Sequence, residues 1–531
     1  MIVYGDPSFE APLSGLVERL RTRLDAPSTT PDGARALLIE AGVLEQAVAD
    51  GLSEGTPEIV THCQALTDVA ATRFLATLDG ASVEEFLTQI EEALARLPAL
   101  QTTLAVKPPE GYAFYALYPE SYRAAARRWL SDHPSPGRVA VVGVRSIGTS
   151  LSAVVLATLR SEGIDAERFT VRPTGHPFAR EVTLPRLDAD HALIVDEGPG
   201  LSGSSMAAVA EAARLAGVRH IALFPGHAGE PGAQASERVR TIWATTLRYV
   251  ESAKSPLDAL AEATSRLCSA PIELVEDLGG GRWREVVFPA TPWPAVALPF
   301  ERPKFRVTPR GGAPVLWKFV GLIAEGTTLG YAPRPWIDGE PLTPADATPF
   351  LLTQIARHIA DVAGSPLTSE EVGRSYERLV DMLGHNAYEA LGRTPALPSP
   401  GGEGSGSAGD YRLAPHEWRR VSDGTVVKTN RRPQSGDHTV VGIQSIAWDV
   451  AGAIVEWDLD EADTGTFLDA LRVEGIVVGD LPFYEAAYTA FRMGLCAHCA
   501  GGSPEEERAR LAAAEAFYRA RLVGALENRL H

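Results

Sequence analysis

Apolar residues recur at helical spacing through the first hundred positions, as in LSGLVERLRTRL (13–24) and VEEFLTQIEEALARL (83–97), which predicts a helical region over 1–105. MIVYGDPSF at the start reads as a short strand, loops are expected around Pro27 to Pro31 and at Gly80, and Cys63 beside His62 reads as a packing residue. The pattern then changes. After the Pro- and Tyr-rich KPPEGYAFYALYPESY, short apolar runs alternate with helical segments from about 111 to 250. VAVVGV (139–144), ALIV (192–195) and HIALF (220–224) have the length and composition of buried strands, and a turn with glycine follows each. The fold class expected for this stretch is α/β.

The most informative stretch is ALIVDEGPGLSGSSM (192–206). Asp196 and Glu197 follow the apolar run, at the carboxyl end of a strand, where open α/β sheets bind ligands. Gly198, Gly200 and Gly203 allow backbone angles closed to other residues and let N–H groups approach an anion. Ser202, Ser204 and Ser205 add hydroxyl donors, and a helix from Met206 to about Ala216 turns its positive end to the same place. Phosphate is expected on the turn and sugar hydroxyls on the two acids.

This arrangement resembles the type I phosphoribosyltransferases, whose signature is an apolar strand, two acids, a Thr/Gly-rich loop and a helix. The resemblance implies that Asp196 and Glu197 hold the ribose of phosphoribosyl pyrophosphate during transfer and that the 200–205 loop holds its 5′-phosphate. Ser stands here for Thr, with about one extra residue between Glu197 and Ser202. Two further segments match. Arg145, Ser146, Ile147 and Gly148, in VAVVGVRSIGTSLS, fall at the family's pyrophosphate loop, and Arg172, His176 and Arg180, in VRPTGHPFAR, at its mobile cationic loop. The resemblance covers about 106–255.

A second constellation lies downstream. Lys318 stands near the end of the apolar strand PVLWKFVGL, with Glu325 shortly after it, GGGRWREVVF (279–288) reads as a glycine turn between strands, and RPWIDGEPL as a strand and turn. DYRLAPHEWRRVSDGTVVKTN (410–430) and IQSIAWDVAGA (443–453) follow. A strand lysine, a late aspartate and a metal ligand after a hairpin are the order phosphoryl transfer uses. The region resembles aminoglycoside-phosphotransferase-like and protein-kinase-like folds. That resemblance implies Lys318 on ATP phosphates, a hinge near Ile337 to Gly339, and Asp410 as catalytic base. It further places His416 or Glu417 and then Asn430 at the metal positions, and Asp449 as the structural aspartate of the next helix. Asn430 replaces an acid, which lowers the charge available to Mg²⁺. PALPSPGGEGSGSAG (395–409) reads as a flexible insertion before Asp410. The expected whole is a multidomain α/β chain: a helical region 1–105, a central parallel-sheet, Rossmannoid phosphoribosyltransferase-like domain 106–255, and an α+β kinase-like domain 270–531.

Composition bounds these readings. With 531 residues and 45% apolar content the chain can bury large cores, and its length fits three or four domains. A net charge of −19 argues against a general nucleic-acid surface but not against a small phosphorylated ligand. Four scattered cysteines fit a reducing cytoplasm, and no apolar run has the ~20 residues of a membrane span. Cys496, His498 and Cys499 lie in a helical pattern without a second ligand pair nearby, so packing is favoured over zinc. The expected cofactor is Mg²⁺ and the expected partner a phosphoribosyl-pyrophosphate-like substrate, with ATP a further candidate for the carboxyl-terminal region. Three functions stay open: a phosphoribosyl-transferring enzyme, a non-catalytic nucleotide- or phosphosugar-binding regulator, and an interaction scaffold.

Overall fold

The computed structural model describes residues 9–25, 30–52, 57–97, 102–200, 202–232, 235–288, 290, 292–363, 369–393, 409–430 and 444–527. Most of the expected opening strand, part of the loop before Pro31 and nearly all of the 395–409 insertion lie outside these described residues. The chain divides into two compact units, one built from Ser8–Val275 with Arg302–Arg334 and the other chiefly from Glu276–Glu301 with Pro335–His531.

In the first unit, β1 (Phe9–Pro12) leads into α1 (Leu13–Asp25), α2 (Pro31–Gly51), α3 (Pro57–Leu78) and α4 (Glu84–Ala95), and β2 (Thr103–Val106) returns antiparallel to β1. Thr30 caps α2 by accepting the Gly33 N–H, with proline at the first helical position, and α2 then runs buried from Ala34 to Ala49. Short α5 (Glu110–Ala113) and α6 (Pro119–Asp132) precede the sheet. The sheet elements follow in order: β3 (Val139–Val144), α7 (Ile147–Ser161), β4 (Ala166–Val171), the hairpin β5 (Thr174–His176) and β6 (Ala179–Glu181), β7 (His191–Val195), α8 (Ser204–Leu215), β8 (His220–Phe224), α9 (Glu237–Thr245) and β9 (Leu247–Arg248).

Five strands pair in parallel in the order β4-β3-β7-β8-β9. Every residue of β3 and β7 is buried, as expected for apolar strands covered on both faces. One face packs under the amino-terminal helices with α6 and α7, the other under α8 and α9. The chain winds from β3 outward to β4 and then back to β7, so strand order reverses between β3 and β7. In open α/β sheets, the crevice beyond the carboxyl ends of two such strands is where ligands bind.

The amino-terminal helices therefore share a core with the sheet and do not stand as a domain of their own. After α10 (Leu257–Cys268), a second sheet has the order β10 (Ile272–Asp277), β11 (Lys304–Pro309), β12 (Val315–Phe319), β13 (Tyr331–Pro335). Phe305, Val307, Trp317, Phe319 and Tyr331 bury into the core of the first unit. Apolar burial thus splits the expected 270–531 domain, and Lys318 belongs with the earlier residues.

The second unit is mainly helical. The segment read as a glycine turn between strands forms α11 (Trp283–Val287), where Arg284 is buried against Glu507 at 2.6 Å. A small antiparallel sheet of β14 (Glu340–Pro341), β15 (Trp418–Arg420) and β16 (Val426–Lys428) accompanies α12 (Pro349–Val362), α13 (Ser369–Leu391), α14 (Ala447–Glu456), α15 (Glu461–Val473), α16 (Leu481–Ala500) and α17 (Glu505–Glu527). Cys496 and Cys499 are buried on α16, and His498 stacks on Phe300. Among the described residues no helix is long and apolar enough to cross a membrane.

Candidate functional site

Asp196 and Glu197 leave the sheet directly after β7, at the reversal point. The Asp196 carboxylate accepts the Glu197 N–H at 2.8 Å, and its main-chain carbonyl accepts the Tyr122 hydroxyl at 2.7 Å. Burial pushes this carboxyl up to about 6, opposed by the Glu197 N–H and then by the charges of Arg172 and Lys107. Glu197 accepts the Gly111 N–H at 2.9 Å. Desolvation pushes it up to about 8, helped by the neighbouring negative charges of Glu110 and Asp196. Both acids are half-buried, and a backbone N–H donates to each, which offsets part of the cost of their partial desolvation.

The adjoining loops are shaped by close packing. A Cβ on Gly148 would lie 2.5 Å from the Val195 carbonyl oxygen, so only glycine lets the start of α7 approach the end of β7. Ser146, just before it, holds φ at 133°, a strained value for a side chain other than glycine. Ile147 is buried beneath the turn. Beyond the acids, Gly200 takes φ 55° and Gly203 φ 62°. The Gly203 carbonyl accepts the Trp243 indole N–H at 2.9 Å.

The serines face one another more than expected from sequence. Ser202 and Ser204 hydroxyls lie 2.9 Å apart, and the Ser204 hydroxyl donates to the Pro177 carbonyl at 2.6 Å, fastening the β5–β6 hairpin to α8. Ser205 is half-buried in the first turn of α8. At the start of α8 the Ser204 N–H donates to the Ser202 hydroxyl at 3.3 Å, so Ser202 also satisfies the first N–H of the helix that follows the turn.

Of the expected cations, Arg145 and Arg172 come together and His176 and Arg180 do not join them. Arg145 follows β3 and Arg172 follows β4. Their guanidinium groups meet on Asp50 of α2: Arg145 Nη1 at 3.0 Å from Oδ1, Arg172 Nε at 3.1 Å from Oδ2. Arg172 also donates to the Arg145 carbonyl at 2.7 Å and to Gln46 Oε1 at 3.3 Å. On the exposed hairpin, His176 Nδ1 accepts the Phe178 N–H and Arg180 donates to the Gly175 carbonyl.

In the same unit, Lys318 is half-buried on β12 opposite Lys304, and Glu325 is 86% exposed, 3.8 Å from Arg23. The second unit gathers a different group around Asp410. Asp449 on α14 accepts the main-chain N–H groups of Asp410 (2.7 Å) and Tyr411 (2.8 Å), and burial beside Asp410 pushes its own carboxyl up to about 7. Asp410 is wholly buried, with His358 Nε2 at 2.5 Å and Lys428 Nζ at 3.2 Å from Oδ2.

The donor set here does not fit Mg²⁺. The ammonium of Lys428, 3.0 Å from the Asn430 carbonyl and 3.9 Å from Glu417 Oε2, is the cation among these oxygens. His416, expected as a metal ligand, stacks on Trp283, where desolvation lowers its basicity. Among the described residues no group of three or more His, Cys, Asp or Glu side chains is placed to hold a metal.

Sequence reasoning missed Asp50, Gln46, Tyr122, His358 and Lys428. Lys428 carried a signal, two residues before Asn430 on the strand that pairs Trp418 with Lys428. The others carried none, being joined to the site only by folding.

No protein-family model matches the chain, and no curated protein matches it. Two solved structures do, one of choline kinase LicA from Streptococcus pneumoniae and one of LicA in complex with AMP. One has 11% identity and a TM-score of 0.31, covering 50% of this chain and 100% of that one. The other, in complex with AMP, has 12% identity and a TM-score of 0.30, covering 50% and 99%. At that distance the likeness assigns no residue a role.

Proposed function

We propose that the first unit binds a phosphoribosyl-pyrophosphate-like ligand and transfers its phosphoribosyl group. The observation that carries this reading is the position of Asp196 and Glu197 at the reversal between β3 and β7, directly before a glycine turn and the N-terminus of α8. Adjacent carboxyl groups accept from vicinal hydroxyls, as a ribose presents them, and Asp196, the more acidic of the two, stabilises positive charge developing at the anomeric carbon of that ribose. The turn and helix start suit the 5′-phosphate, while Arg145 and Arg172 suit the diphosphate. Mg²⁺ belongs here as the counterion of that diphosphate, since it keeps water and phosphate oxygens around itself and takes few protein ligands.

The test is calorimetric titration of phosphoribosyl pyrophosphate with Mg²⁺ into the wild type and an Asp196→Asn, Glu197→Gln double variant. Micromolar binding that the variant loses supports the site. A folded wild type that takes up no ligand refutes it. Binding without turnover across an acceptor screen favours the regulatory alternative.

A second reading gives the other unit a kinase-like fold. Its supporting observation is Asp449, whose carboxylate clasps the main chain of Asp410 as expected of the structural aspartate. With Asp410 buried and its carboxylate held by Lys428 and His358, the observations favour that scaffold over phosphoryl transfer.

A further inference from the structure

Two guanidinium groups from the ends of adjacent strands converge on one carboxylate of a helix remote in sequence. Asp50 uses Oδ1 for Arg145 and Oδ2 for Arg172, as two oxygens of one phosphate would. We infer that Asp50 is a built-in anion seated in the diphosphate subsite, which a diphosphate-bearing ligand must displace. The inference rests on the proposed phosphoribosyl-pyrophosphate reading and adds the residue that sets affinity at that subsite.

Asp50 is not needed to hold its helix. Glu45, one turn earlier on α2, takes Arg168 of β4 in a buried bidentate pair at 3.0 and 2.9 Å, and Asp68 of α3 takes the same arginine at 2.6 Å. Gly42 of α2 packs on Ser150 of α7 so closely that a Cβ would lie 2.8 Å away. The Arg168–Glu45 pair is fully buried and costly to break, whereas the Asp50 side chain keeps 29% of its exposure and its partners 19% and 29%. Exposed pairs of this kind contribute little to stability, so displacement is inexpensive.

Charge gives the direction. Two guanidinium groups share the one carboxylate that bonds them both, and a ligand carrying two or more negative charges matches that pair better. Gln46, whose Oε1 accepts from Arg172, stays beside the vacated position to keep that arginine aimed.

The experiment titrates inorganic pyrophosphate, and separately phosphoribosyl pyrophosphate, into the full-length wild type, Asp50→Asn and Asp50→Asn/Arg172→Gln, with thermal melting to confirm that each is folded. Asp50→Asn is expected to bind pyrophosphate about tenfold more tightly than the wild type, and the added Arg172→Gln to abolish the gain. Equal or weaker binding by Asp50→Asn overturns the inference, as does a gain that survives loss of Arg172. If phosphoribosyl pyrophosphate binds while pyrophosphate affinity ignores Asp50, the inference falls and the wider reading stands. Absence of both ligands from all folded variants overturns both.

Discussion

Lys428 Nζ lies 3.2 Å from Asp410 Oδ2 with both side chains out of solvent, so the aspartate of the second unit carries its own counter-ion. Removing one partner of such a pair strands the other charge in a low dielectric. Lys428→Met is therefore expected to cost about 3–5 kcal/mol, read by denaturant unfolding. Combining it with Asp410→Asn removes both charges and is expected to recover a large part of that loss. Equal losses in the single and double variants would show that the charge pair is not what stabilises the centre.

Glu197 gives the first unit a pH dependence of defined sign. Its carboxyl is raised from an ordinary 4.5 to about 8, so between these values the folded chain holds more protons than the unfolded one. Stability from this group is full below 4.5 and is lost as pH rises toward and through 8. Melting temperature is expected to fall over that window. Glu197→Gln removes this part of the slope, so the variant gains on the wild type as pH rises to 9.

Much of the first unit was legible because parallel strands buried on both faces must be apolar throughout. VAVVGV and ALIV became β3 and β7, and the two acids stand at the expected strand end. What the sequence hid was partnership across distance. Arg145 and Arg172 promise a free cationic site when read alone, yet Asp50, 95 residues before Arg145, fills it. Lys318 and Asp410 read as one constellation by order along the chain. Burial of β12 beside the amino-terminal helices places them in different units. Periodicity reports which face is buried and says nothing about which core receives it.

Gly148→Ala tests the close approach that shapes the crevice. The added methyl would meet the Val195 carbonyl oxygen at 2.5 Å, and neither the start of α7 nor the end of β7 is a flexible side chain that can yield. Overpacking of this kind costs roughly 1–3 kcal/mol. Because Val195 precedes Asp196, the shift that relieves the clash also moves the acids. Affinity for phosphoribosyl pyrophosphate is expected to fall together with the melting temperature. Unchanged affinity in a destabilised variant would separate the packing from the site.

Ser204→Ala distinguishes a hydroxyl aimed at ligand from one that secures the hairpin. In the fold the hydroxyl donates to the Pro177 carbonyl at 2.6 Å, and the hairpin otherwise satisfies itself through Arg180 and Gly175. Losing that bond costs about 1 kcal/mol, concentrated where β5 and β6 meet α8. Limited proteolysis within 174–181 is expected to accelerate several-fold, while cleavage elsewhere keeps its rate. Phosphate affinity should fall less than the twofold-to-tenfold loss, about 0.4–1.4 kcal/mol, that removal of a direct hydroxyl-to-phosphate bond brings. A loss of that size with unchanged proteolysis would instead place the Ser204 hydroxyl on the ligand.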